Sequence, residues 1–165
     1  MTEPFTTLFT GKKINMKIAL ASDHAGFSLR ETVINKIKDL GHEVIDFGTF
    51  ECSSVDFSDF AVKGAQAVVS KQAEKGVFIC GSGVGMCISA NKVKGTRASV
   101  AHDTYSAAQG VEHEDMNILC LGARVIGPSI AEEIVEKFLN AKFQGLERQV
   151  RRLNKIIDIE NNNFK

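Results

Sequence analysis

The sequence predicts an α/β fold: a three-layer, Rossmann-like sandwich built on a five-stranded parallel sheet. Three observations carry that expectation. Five short apolar runs alternate with segments of helical period along the chain. Glycine or a polar loop closes most of those runs. The third run, Val77–Cys80, stops at a cysteine followed by glycines at 81, 83 and 85, the way a buried parallel strand delivers its end into an anion-holding loop.

Taken in order, residues 1–15 show no clear period and read as a flexible leader, with Met16 an alternative start. Residues 17–21 form the first strand candidate, ending at Ser22-Asp23-His24-Ala25-Gly26. Leu29, Val33, Ile37 and Leu40 then fall at helical spacing, with Gly41 where a C-terminal cap belongs. A second strand spans 42–47, and a polar loop containing Cys52 follows. A helix is expected over 58–73, with Phe60, Ala61, Ala65, Val68 and Val69 facing inward. After the glycine loop come a helix over 86–93, a strand over 97–101 and a short helix from Asp103 to about Val111. Residues 117–121 make the fifth strand. Pro128 suits the first turn of a helix ending near Asn140. A last, basic helix starts near Glu147, and the tail 158–165 is expected to fray, leaving 16–157 as the domain.

A chain of 165 residues is long enough to bury roughly 70% of its unfolded surface as one domain. Its 20 basic and 20 acidic residues cancel, so no global field draws it to nucleic acid or to a membrane surface. No run approaches the roughly 18 apolar residues of a membrane helix, and the opening residues lack the core of a secretory signal. A cytoplasmic location is expected. The four cysteines and four histidines show neither CxxC nor HExxH spacing, so reduced thiols and no metal site are expected.

In such a sheet all strand C-termini lie along one edge, where ligands bind. That edge collects Asp23 and His24, then Cys80 to Gly85, then His102 and Asp103, and finally Arg124. Cys80 is either a small buried residue at a tight turn or a reactive thiol served by the N–H-rich loop. Cys52, Cys87 and Cys120 adjoin no such loop and read as ordinary. Gly81, Gly83 and Gly85 exceed what a turn requires, which favours close backbone approach to a ligand. The loop fits neither the GxGxxG dinucleotide pattern nor the Walker A ending. His113 sits in an acidic run that reads equally as solvated surface. Arg148 and Arg152, four apart, share a helical face and form either a solvated patch or a phosphate clamp.

Together these residues resemble one family, the type B ribose-5-phosphate isomerases with the related galactose-6-phosphate isomerase subunits. The matching pieces are SDHAG at 22–26, EVIDFGT at 43–49, CGSGVG at 80–85, ANK at 90–92, YSA at 105–107 and NILCLGARVIG at 117–127. The Arg148/Arg152 pair completes the set. The resemblance implies aldose–ketose interconversion of ribose 5-phosphate and ribulose 5-phosphate through a cis-enediolate, with no cofactor. It implies Cys80 as the base, Ser82 with the N–H groups of Gly81, Gly83, Val84 and Gly85 as the oxyanion cradle, and His113 as the group that opens the sugar ring. Asp23, His24 and Glu114 become substrate contacts, and Arg124, Arg148 and Arg152 anion ligands. Some family members place a glutamate base where this chain has Met86, which leaves Cys80 in that role. The resemblance also implies a homodimer or homotetramer with shared active sites, the C-terminal helix reaching a partner subunit. Two departures bear on substrate preference: Glu114 replaces the family's usual asparagine, and Phe57 a tyrosine. A phosphorylated hexose (allose or galactose 6-phosphate) is the alternative substrate. A non-catalytic sugar-phosphate-binding module is the alternative of another class.

Overall fold

The computed structural model describes residues 15–164; the expected leader, apart from Asn15, lies outside them. Eleven elements alternate along the described chain. They are β1 (Lys17–Ser22), α1 (Phe27–Asp39), β2 (Glu43–Asp46), α2 (Phe57–Val69), β3 (Lys75–Cys80) and α3 (Val84–Ala90). Then come β4 (Ala98–Val100), α4 (Thr104–Glu114), β5 (Ile118–Gly122), α5 (Pro128–Asn140) and α6 (Glu147–Asn163).

The five strands form one parallel sheet in the order β2-β1-β3-β5-β4. The central strands β1, β3 and β5 are continuous apolar runs because helices cover both their faces. Alternate residues feed two cores. Ile18, Leu20, Val77, Ile79, Leu119 and Leu121 pack with α1, α4 and α5. Ala19, Ala21, Phe78, Cys80, Ile118 and Cys120 pack with α2 and α3. This is the expected three-layer sandwich. The connections diverge between β1 and β3: after β1 the chain turns to β2, and after β3 it crosses to the other side of the sheet. The crevice between those two strand ends is where an open α/β sheet receives a ligand.

Several boundaries differ from the sequence expectation, each for a local reason. Helix α2 stops at Val69 because Lys71 turns left-handed (φ 63°). Helix α3 starts at Val84, two residues early, since Gly83 at φ 81° serves as its N-cap. It ends at Ala90 because the Asn91 side chain bonds both the N–H and the carbonyl of Ala98, each at 2.9 Å. Helix α4 runs on to Glu114, so His113 and Glu114 occupy its last turn, closed by Asp115 at φ 54°. Of the expected inward side chains of α2, Phe60 and Val69 are only half-buried. Helix α6 continues through Asn163, where fraying is expected from the asparagine run.

Candidate active site

The site forms where β1, β3 and β5 end. After β1 the chain turns sharply: the Asp23 carboxylate accepts the Gly26 N–H at 2.9 Å, and the Asp23 N–H reaches the Ile79 carbonyl at 3.2 Å. Asp23 is thereby buried at the crevice wall. His24 Nδ1 accepts the Val55 N–H at 3.2 Å, which leaves Nε2 as the proton-bearing nitrogen of the neutral ring.

The second wall is the glycine loop. Cys80 ends β3 at 5% exposure, and its Sγ accepts the Gly83 N–H at 3.1 Å. An N–H aimed at a sulfur favours negative charge there. Ser82 is exposed, and its Oγ accepts the Val84 N–H at 3.3 Å. The N–H groups of Gly85 and Met86 lie in the first turn of α3 and have no intrahelical partner. The loop is pinned to the end of β5, where the Ala123 N–H bonds the Cys80 carbonyl at 2.9 Å and the Arg124 N–H the Gly81 carbonyl at 3.0 Å. A Cβ at Gly122 would meet the Ser82 backbone at 2.8–2.9 Å. Gly83 needs its absent Cβ for another reason than a ligand. It is left-handed, and a Cβ there would lie 3.1–3.3 Å from the Cys120 and Leu121 backbone. The close approach of the β5 backbone is therefore enough to require glycine at 83.

Between the walls opens a cavity of about 380 Å³ lined by Asp23, His24, Ala25, Phe57, Cys80, Gly81, Ser82, Gly85, Arg124 and Val125. It holds a thiol, a hydroxyl, an imidazole, a carboxylate and a guanidinium, which is acid–base and anion-binding chemistry in one place. Phe57 was legible only as a departure from a pattern; its ring actually roofs Gly85, where a Cβ would meet it at 2.9 Å. A larger cavity of about 630 Å³ lies at the opposite edge, beside Lys75 and the end of α5. It lacks the glycine loop, and the Lys75 ammonium is engaged with the carbonyls of Phe138 and Ala141.

Six sequence-selected residues, Gly83, Val84, His113, Glu114, Arg148 and Arg152, do not line this cavity. His113 is half-buried near the end of α4, its Nδ1 3.0 Å from Gln109 Nε2 one turn earlier. Glu114 lines a separate hollow with Arg97, Ser99 and Ile156. Arg148 and Arg152 are exposed on the first turns of α6 and, among the described residues, form no ion pair. Val84 is about half exposed just beyond the loop. Sequence reasoning also passed over Cys87 and Cys120 as ordinary, although the neighbouring Cys120 thiol draws Cys87 down to about 7.

The sheet order and the thiol loop at its switch point define an α/β domain built to handle a small anionic substrate. Comparison with known proteins gives the family. The Ribose/Galactose Isomerase family model matches residues 18–156, and the chain belongs to that family. It is 40% identical over 135 residues to ribose-5-phosphate isomerase B of Escherichia coli, covering 82% of this chain and 91% of that one. The D-erythrulose-4-phosphate isomerase of Pectobacterium atrosepticum is 37% identical over 132 residues, covering 79% of this chain and 86% of its own. The solved ribose-5-phosphate isomerase B of Clostridium thermocellum superimposes with a TM-score of 0.86 at 47% identity, covering 89% of this chain and 99% of that one. Among the described residues no helix is long and apolar enough to cross a membrane.

Proposed function

We propose that the protein is an aldose–ketose isomerase that interconverts ribose 5-phosphate and ribulose 5-phosphate in the cytoplasm. The observation that carries this reading is the Cys80 thiol at the head of the central strand, its sulfur held by the Gly83 N–H inside a cavity that also holds Asp23, His24 and Arg124.

In the open-chain aldose, Cys80 as thiolate takes the C2 proton and the electron pair moves to oxygen, forming a cis-enediolate. The loop N–H groups and the Ser82 hydroxyl stabilise that oxyanion. The same thiol returns the proton to C1, giving the ketose. A thiol base and N–H donors supply this chemistry without a metal or cofactor. Asp23 and His24 hold sugar hydroxyls, and Arg124 with Arg148 and Arg152 binds phosphate. His113 protonates the ring oxygen and opens the furanose.

His113, Glu114, Arg148 and Arg152 reach the chemistry from a second copy of the chain in an isologous homodimer, on its own or paired into a tetramer. Supporting this, Gln149 alone on α6 is buried, while Val150, Ile156 and Ile159 are exposed beside the arginines. A helix with an open apolar stripe is completed by a partner surface.

A six-carbon sugar phosphate is the second reading. Glu114 and Phe57 favour it: an ionised carboxylate accepts hydrogen bonds without donating, and phenylalanine offers no hydroxyl. The test is isomerase turnover of the wild type on five- and six-carbon substrates beside Cys80→Ala. Loss of a general base lowers kcat by roughly 10²–10⁴-fold. Full activity in Cys80→Ala overturns the mechanism, and a strong six-carbon preference overturns the pentose assignment.

A further inference from the structure

Two cysteines outside this chemistry meet behind the catalytic loop. Gly83 places the start of α3 directly on the Cys120–Leu121 backbone of β5. Cys87 follows four residues later, its N–H bonded to the Gly83 carbonyl at 3.0 Å, so it lies on the same helical face one turn on. Its Sγ donates to the Ala98 carbonyl at 3.4 Å and accepts from Asn91 Nδ2 at 3.6 Å, which fixes the sulfur over the β4–β5 border. Cys120 projects from β5 on that same face, in one apolar cluster with Cys80. The Cys120 thiol beside Cys87 draws it down to about 7, while burial holds Cys120 well above its ordinary value, so Cys87 is the first of the two to ionise. Cys87 is half-buried and Cys120 fully buried. A small oxidant therefore meets Cys87 first.

We propose that Cys87 and Cys120 form a redox-active dithiol that hydrogen peroxide converts to a disulfide, restraining the loop that carries Cys80. The Cys87 thiolate attacks one peroxide oxygen, breaking the O–O bond and releasing hydroxide, to give a sulfenic acid. The Cys120 sulfur then attacks the Cys87 sulfur, its proton leaving with the sulfenic oxygen as water. Two sulfurs are oxidised and one peroxide is reduced. An external thiol reverses the step. Because α3 begins at the glycine loop, tying Cys87 to β5 shifts the N–H groups that face Cys80.

The test treats full-length protein with stepwise hydrogen peroxide, blocks free thiols, and maps peptides by mass spectrometry. The expected product is a peptide pair joined through Cys120, 2 Da lighter than its reduced parts and dissolved by dithiothreitol. It persists in Cys80→Ala and is lost in Cys87→Ser, while Cys120→Ala instead traps a sulfenic acid at Cys87. Cys87→Ser is expected to keep its basal turnover and to lose activity to peroxide several-fold more slowly than the wild type. A crosslink absent at peroxide levels that oxidise Cys52 or Cys80 overturns the proposal, as does one that disappears in Cys80→Ala. An unchanged inactivation rate in Cys87→Ser overturns the link to the loop. The mass measurement does not rest on the isomerase reading, so failure of one leaves the other standing. Should Cys120→Ala misfold, Cys120→Ser replaces it.

Discussion

At the ends of β1, β3 and β5 the site residues are locked in by the fold, whereas at the end of α4 and the start of α6 they stand on open surface. Cys80 and Asp23 are 5% and 4% exposed, and each is tied to a neighbouring loop by backbone hydrogen bonds. Glu114, Arg148 and Arg152 are exposed, and His113 is held by one side-chain contact within its own helix. The difference teaches how labour is divided. In the proposed mechanism, the groups that need fixed geometry around the reacting carbons come from the core of one chain. The groups proposed to open the ring and grip the phosphate stand on a surface that a second copy would finish.

That division makes predictions that separate activity from stability. The largest effect is expected for His113→Ala, with kcat on ring-closed substrate falling roughly 10²-fold or more and the melting temperature unchanged. An open-chain substrate analogue should lose much less. Equal losses on both substrates would remove the ring-opening role. Arg148→Ala and Arg152→Ala should each raise KM by about 10- to 100-fold, the worth of a charge-assisted hydrogen bond, with kcat little changed because phosphate is held alike in ground and transition states. An unaltered KM would make these arginines a solvated face. On the core side, Gly122→Ala should cost about 1–3 kcal/mol in denaturant unfolding, as overpacking does, together with activity, since its Cβ drives into Ser82. Loss of activity at full stability would contradict the coupling of loop to core.

The smallest effect tests the opposite edge. Burial lowers Lys75 to about 8 from 10.5, so the unfolded chain binds more protons than the folded one between those values. Wild-type stability relative to Lys75→Met should therefore rise as pH goes from 8 to 10.5 and stay flat below 8. A difference that falls across that window would show that Lys75 is not desolvated.

The sheet was legible in the sequence because β1, β3 and β5 are unbroken apolar runs, and because each helix repeats its apolar residues at helical spacing. Cys80 was legible from its place between such a run and three glycines. What a sequence hides is who touches whom. Gly83 has a packing reason that the sequence does not show, since only the tertiary pairing of β3 with β5 brings it against the Cys120 and Leu121 backbone. Cys87 and Cys120 are 33 positions apart in the numbering, so nothing local marks them as a pair. The end of α4 lies three residues beyond the expected Val111 because a left-handed aspartate at 115 gives no periodic signal. His113 and the arginines gained a definite role only through family resemblance, as their charge pattern fits plain solvated surface equally well.

The central claim is that each active site takes Cys80 from one chain and His113 from another. Cys80→Ala and His113→Ala proteins carrying different affinity tags, unfolded and refolded together, yield mixed dimers that can be isolated through both tags. In a two-fold dimer one of the two sites then keeps both residues and the other has neither, so isomerase activity should return to about half that of the wild type. Mixed dimers as inactive as their parents, or no mixed dimers at all, would contradict the shared site.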